Sequence, residues 1–317
     1  MWFALEVDMS KDLDDWLRLP AGQRRFYEYV LGFFLIADEK VIDNLLDNFM
    51  LEIGQRELKS FYISQMFQED VHTEAYSIQV ETLITGERRE VVFDAIETMP
   101  VIKKMSSWIE KWMDPRKYSF AERLVGFAVV EGILFQGHFI SIQLLKERNI
   151  LNGLVTYNEF ISRDEGNHCT FACYLLRERI VNRPGPALVH DVIDSAVRLV
   201  DDFMIEALTA AWECQVESDK ENGGGCLSLS NVVPCVNTDL MQKYIRYFAN
   251  TICDYMGYGQ LYEKAENPYP EAHKLYLNEV QKNNFFEHRG TQYRMPTAPR
   301  SMQFAVEDLS LLSPTQI

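Results

Sequence analysis

Two short runs carry residue types that could bind metal: EDVHTEAY at 69–76 and DEGNHCTF at 164–171. Among the six histidines, His138, His190, His273 and His288 follow Phe135, Ala187, Pro270 and Phe285 at a three-residue distance. His72 and His168 instead follow Glu69 and Glu165. Positions i and i+3 lie about 60° apart on a helix, so each Glu-x-x-His offers an oxygen and a nitrogen ligand to one point. The first pair follows the apolar FYISQMF run and precedes Ile78 and Val80, on what should be the inside of a helix. A buried charge without a partner costs several kcal/mol or more, so these groups require partners or a cation. A single Glu-x-x-His on an exposed face is ordinary solvated surface. Two of them, on two long helices, form the pattern of a dinuclear carboxylate centre in a four-helix bundle.

That pattern also demands one acid from each of two further helices. FFLIADEKVI offers Asp38 and GFAVVEGILF offers Glu131, each an acid inside an apolar run. Alone, Asp38 beside Glu39 would read as helix surface, and Glu131 beside Gly132 as a packing defect. Together the ligand set is Asp38, Glu69, His72, Glu131, Glu165 and His168. Oxygen-rich donors with one imidazole per ion suit iron or manganese better than zinc or copper. Tyr76 follows His72 by four residues and Glu69 by seven, on the same helix face. A buried tyrosine is commonly a core residue with a hydrogen-bonded hydroxyl. Beside a metal pair that activates dioxygen, it could instead be oxidised to a tyrosyl radical, with Phe135, Phe139 and Ile161 as an inert wall.

The elements that must position these groups are helices. Apolar residues recur at three- and four-residue spacing through 22–53, 55–85, 88–113, 119–148, 154–182, 186–213, 238–257 and 271–284. LITGE, MDPRK, RNILNG and NRPGP punctuate them. The expected fold is all-α, a ferritin-like bundle of long helices with the dinuclear site in its core. Residues 1–289 form the helical domain, with the polar and glycine-rich 213–235 segment as a surface insertion. Residues 290–317 read as a flexible tail, in which FAVEDLSLL has the acidic-apolar character of a segment that docks in a partner's groove.

A formal charge of -16 and no basic stripe argue against a nucleic-acid partner. The start, MWFALEVDMSKD, lacks the basic and apolar regions of a secretory signal. Apolar runs such as 125–133 are too short and interrupted to span a bilayer, so no membrane role is expected. Six cysteines without CxxC spacing read as reduced thiols, and a cytoplasmic location follows.

The chain resembles the small subunit of class I ribonucleotide reductase, of the eukaryotic and viral type. The resemblance rests on WFALEVDMSKD (2–12), FFLIADEKV (33–41), QEDVHTEAY (68–76), FDAIETMPVIKKMSSW (93–108), ERLVGFAVVEGILF (122–135), EFISRDEGNHCTFAC (159–173), and NNFFEHR with QYRM (283–295). It implies two oxo-bridged iron ions per chain, manganese being the alternative, formed with dioxygen. Asp38, Glu69 and His72 would hold one ion and Glu131, Glu165 and His168 the other, some carboxylates bridging. Tyr76 matches the radical tyrosine, Asp164 the acid linking His72 to a tryptophan, and Trp2 that tryptophan. Tyr293 matches the tail tyrosine that hands the radical to a large catalytic subunit, where ribonucleoside diphosphates are reduced. A homodimer is implied, with the tail docking the large subunit.

The sequence departs from the family in the length of 213–235, in a tail that closes on LSPTQI instead of Phe, and in Gln136 and His138 where small residues are usual. Two other readings share the ligand set: another di-metal oxidase or iron store of the ferritin-like class, and a non-catalytic regulatory paralogue.

Overall fold

The long periodic segments fold as helices, and the computed structural model describes residues 1–222, 228–229 and 232–270. In chain order these helices are α1 Asp12–Arg18, α2 Ala21–Asn44, α3 Met50–Glu52, α4 Arg56–Leu83, α5 Glu87–Phe93 and α6 Ala95–Thr98. They continue as α7 Pro100–Met113, α8 Phe120–Val129, α9 Phe135–Gln143, α10 Asn152–Glu178, α11 Pro186–Asn222 and α12 Thr238–Met256. No strand occurs among the described residues. A π-helical turn, Leu45–Phe49, joins α2 to α3, and another, Val130–Leu134, joins α8 to α9, so each pair reads as one long rod. Helix α2 packs on α4, and α8 on α10. Helices α11 and α12 close the bundle against α2 and α10.

Three boundaries differ from the periodicity reading. The expected 88–113 helix is broken at Asp94 and Met99, and α7 restarts with Pro100 in its first turn. Proline lacks the N–H that a continuing helix would need, but is well suited to that position. Helix α11 runs past 213 to Asn222. Its polar last turns are held by Gln215 donating to Asp219 at 2.8 Å and Asn222 donating to the Ser218 carbonyl at 2.8 Å. Gln215 also accepts from the Gly22 N–H at 3.0 Å, tying α11 to the start of α2. The expected 271–284 helix and the tail lie outside the described residues.

Continuity through the π turn makes 120–148 long and apolar enough to cross a membrane, although the apolar runs within it looked too short. Its apolar window lies wholly inside the bundle, so burial among the other helices accounts for its composition.

The N-terminal segment is locked to α10. Buried Asp12 accepts from Gly153 N–H at 3.0 Å and Leu154 N–H at 2.7 Å, and Asp15 accepts from Leu151 N–H at 3.0 Å. These are the orphan donors of a helix start, where an anion is favoured. A Cβ at Gly153 would sit 2.9 Å from the Asp12 carboxylate, so the approach requires glycine. The Tyr157 hydroxyl donates to the Ala4 carbonyl at 2.5 Å, bringing Trp2 alongside α10.

Gln136 and His138 separate. Gln136 donates to the Tyr244 hydroxyl. His138 stacks on Phe33 at 3.9 Å, meets Phe203 edge-on at 4.2 Å and donates through Nδ1 to the Leu134 carbonyl at 2.8 Å. Burial lowers its pKa to about 3. A histidine held neutral in the fold and protonated near pH 6.5 when unfolded adds stability above pH 6.5, and that stability is lost as pH falls toward 3. Between pH 7.5 and 5 it therefore costs about 2 kcal/mol. His138→Phe in the metal-free protein should lose about 2 kcal/mol less than wild type over that interval, as denaturant unfolding at the two pH values would measure; equal losses would contradict the buried neutral imidazole.

Candidate metal centre

Four rods each lend acid to one point in the core. Asp38 comes from α2, Glu69 and His72 from α4, Glu131 from the π turn between α8 and α9, and Glu165 and His168 from α10. All six are buried, none more than 1% exposed. Glu131 falls inside a local widening of its helix, a feature found often at functional sites.

The six side chains resolve into two sets with common members. Asp38, Glu69, His72 and Glu165 have potential ligand atoms within 4.8 Å of one another, and so do Glu69, Glu131, Glu165 and His168. Glu69 presents Oε2 to His72 Nδ1 at 3.2 Å and Oε1 to His168 Nδ1 at 2.9 Å. Glu165 presents Oε1 to His72 Nδ1 at 2.8 Å and Oε2 to His168 Nδ1 at 2.9 Å. Each of these two carboxylates thus faces both imidazoles with opposite oxygens, the placement of a bridge. Asp38 belongs only to the first set and Glu131 only to the second.

Electrostatics show what such a cluster does without cations. Burial, then the charges of Glu69 and Glu165, push the Asp38 pKa well above its usual range. Glu131 is likewise held well above by burial and the same two neighbours. For His72 burial opposes protonation, but Glu165, Asp164 and Glu69 prevail and raise its pKa well above the ordinary value. His168 is raised to about 10 by Glu69 and Glu165 against the same opposition. Burial favours the neutral form of Glu165, yet His168 and His72 lower its pKa well below the usual value. Neither oxygen of Asp38 has a hydrogen-bond partner. Orphaned carboxylate oxygens in a dry core, with one imidazole per set, fit a pair of hard or borderline divalent cations.

A second ring of residues holds the imidazoles from behind. Asp164 Oδ2 lies 3.4 Å from His72 Nε2 and accepts from Trp2 Nε1–H at 2.8 Å. The Trp2 and His72 rings stack at 5.9 Å. Tyr76 lies two turns beyond Glu69, buried, its hydroxyl without a hydrogen-bond partner. Its ring stacks on Phe34 at 4.6 Å, and Phe34 in turn contacts Phe135 and Phe139 at 5.9 and 5.0 Å. Burial and then the Asp38 charge hold the phenol pKa well above the ordinary value. Tyr293 lies outside the described residues.

Four participants were missed in the sequence. Gln65, fully buried, donates to Glu131 Oε1 at 2.9 Å and Glu69 Oε1 at 3.3 Å. The Gln68 amide oxygen lies 3.1 Å from His168 Nε2. Phe34 is the wall in direct contact with Tyr76. Tyr62, seven residues before Glu69 as Tyr76 is seven after, is a second buried phenol whose hydroxyl has no hydrogen-bond partner. The shared spacing with Glu69 was the available signal for Tyr62, whereas glutamine carries none.

The fold and the paired Glu-x-x-His motifs define a ferritin-like bundle with a dinuclear metal site. The family model described as ribonucleotide reductase, small chain, matches residues 1–268, and the chain belongs to that family. A ribonucleoside-diphosphate reductase small chain from African swine fever virus (isolate Pig/Kenya/KEN-50/1950) is 50% identical over 294 residues, covering 92% of this chain and 84% of the relative. The ribonucleotide reductase Rnr4 homodimer of Saccharomyces cerevisiae is 25% identical with a TM-score of 0.67, over 84% of this chain and 78% of that one. The dimanganese(II)-NrdF of Streptococcus sanguinis shares the fold at TM-score 0.67 and 18% identity, over 87% and 91% of the two chains. The activity is therefore that of a ribonucleotide reductase small subunit, an oxidoreductase component that works with a large subunit.

Metal ligands must be deprotonated, so cations must displace the protons held by His72 and His168. Loading at pH 7 should release about two protons per chain or more, and affinity should fall as pH falls. Calorimetry in two buffers of different ionisation enthalpy measures the release; loading heats that do not depend on the buffer would contradict it.

Proposed function

We propose that Asp38, Glu69, His72, Glu131, Glu165 and His168 hold two iron ions bridged by Glu69 and Glu165, and that Tyr76 stores the oxidising equivalent as a radical. Manganese is the alternative occupant, in keeping with the dimanganese neighbour that shares the fold. When bound, the metal pair with dioxygen supplies one-electron oxidising power, and an oxo bridge is the expected resting link between the ions.

The chain's own residues supply the rest. Tyr76 gives up an electron together with its phenolic proton, because its surroundings keep the phenol protonated. Asp38, the carboxylate whose charge acts most strongly on that phenol and whose oxygens lack hydrogen bonds, is suited to take the proton. Phe34, Phe135 and Phe139 keep water and reductants from the ring, which lengthens the life of the radical.

The observation that carries this reading is the chain from His72 through Asp164 to Trp2, at 3.4 and 2.8 Å. It starts on a ligand of the cluster and ends on a partly exposed tryptophan. A metal store or a self-contained oxidase has no use for such an exit, and a large subunit that draws the oxidising equivalent away does. From Trp2 the route continues to Tyr293 in the tail, which docks the large subunit, where ribonucleoside diphosphates are reduced. The small subunit pairs as a homodimer, as Rnr4 does.

Adding Fe(II) and air to the metal-free protein should give a tyrosyl electron paramagnetic resonance signal that Tyr76→Phe abolishes. A signal of unchanged shape and size in that variant would place the radical elsewhere. Asp164→Asn should still form the signal while deoxyribonucleotide production with a large subunit drops by about 10–100-fold. Unimpaired turnover in that variant would remove Asp164 from the route.

A further inference from the structure

One stripe of α10 cradles Trp2. Tyr157, Phe160 and Asp164 stand at i, i+3 and i+7 and so lie on the same helix face. The Trp2 ring lies 6.1 Å from that of Tyr157 and 5.3 Å from that of Phe160, and its Nε1–H donates to Asp164 at 2.8 Å. Asp164 belongs to the route that starts on His72. Tyr157 is not a step in that route, yet it is fully buried and its hydroxyl donates to the Ala4 carbonyl at 2.5 Å.

That carbonyl lies two residues after Trp2, in the single helical turn Ala4–Glu6. Ala4 is buried against the bundle, whereas Phe3 and Leu5 are about half exposed. The bonds that close the turn are its own: Phe3 N–H to Glu6 at 3.3 Å and Glu6 N–H to the Phe3 carbonyl at 3.0 Å. Neither ties it to α10. The bonds of Asp12 to the start of α10 come ten residues after Trp2. The Tyr157–Ala4 bond therefore adds a second fixed point beside the indole's own bond to Asp164. One point of attachment leaves a segment free to turn, and two hold its orientation.

A buried phenol beside an oxidisable tryptophan is either a redox relay or a strut, and its surroundings select the strut. A phenol yields an electron readily only when its proton can leave, and a backbone carbonyl does not retain a proton at neutral pH. Burial, then the charges of Glu74 and Asp12, also hold the Tyr157 pKa above its ordinary value. Trp2 differs, because its N–H points at a carboxylate that balances the charge of the oxidised indole.

We propose that Tyr157 is a positioning residue of the electron exit, which holds the Trp2 ring against His72 and Asp164 by holding the Ala4 carbonyl. The proposal rests on the reading of Trp2 as the exit from the cluster. Tyr157 sets the geometry of that exit and leaves the oxidising equivalent stored at Tyr76 as it is.

The test compares wild type, Tyr157→Phe and Trp2→Phe as full-length chains. Amide hydrogen exchange before metal is added reads the strut. Tyr157→Phe should speed exchange over residues 3–7 about fivefold, as loss of one ordinary hydrogen bond implies, and leave Gly153 and Leu154 unchanged. After Fe(II) and air, its metal content and tyrosyl signal should match wild type within about twofold. With a large subunit, its kcat should fall about 10–100-fold, while the large-subunit concentration giving half the maximal rate stays within about twofold. Metal content and signal that fall along with kcat would mean a merely structural role and overturn the proposal. Slowed turnover with unchanged exchange over 3–7 would overturn it too, making Tyr157 a relay. If Trp2→Phe is inactive and Tyr157→Phe keeps the wild-type kcat, the proposal fails and the route stands. If Trp2→Phe turns over like wild type, route and proposal fail together.

Discussion

Four carboxylates and two imidazoles share a dry core, and their charge has to be cancelled there. With neutral imidazoles the six side chains sum to -4, which two divalent cations balance. Without cations the same place moves toward neutrality with protons: both imidazoles hold theirs, and Asp38 and Glu131 are pushed toward the neutral acid. An isolated ion moved to such surroundings costs far more than a typical domain's margin of stability, so charge balance constrains everything built around it.

The bundle is arranged to meet that constraint and then to make use of it. Long rods bring acids from four directions to one level, and a π turn carries Glu131 into place. The aromatic wall of Phe34, Phe135 and Phe139 keeps the Tyr76 side dry. On the other side Asp12 ties the N-terminal segment to the start of α10, and Tyr157 reaches Ala4, so Trp2 is held where Asp164 can accept from it. Local capping at α10 and the proposed electron route are thus parts of one mechanical connection.

Much of this was legible in the sequence because the strongest signals were also the costliest features. An acid three residues before a histidine inside an apolar run is hard to explain without a cation, and the structure brings all six proposed ligands together. The long helices followed from periodicity: α4, α10 and α12 lie close to the expected spans, and α2 fills its span only together with the π turn and α3. What was not legible has physical reasons too. Gln65 and Gln68 are neutral and common in helices, and their roles arise only from contacts across the bundle. The last turns of α11 looked like loop because their stabilising hydrogen bonds join polar side chains within the helix, with no apolar stripe to announce them. The π turns leave no mark on a 3.6-residue pattern, and the break at Pro100 was hidden by apolar residues on both sides.

The central claim is that one cluster holds two ions through shared carboxylates, and metal content in Glu165→Ala tests it most directly. Wild type should retain about two ions per chain after gel filtration, as a dinuclear site requires. Because Glu165 faces both imidazoles, its loss should strip both ions together, to well below one per chain. A variant that sheds one ion and keeps the other at wild-type affinity would contradict the shared bridge and leave two independent sites in its place.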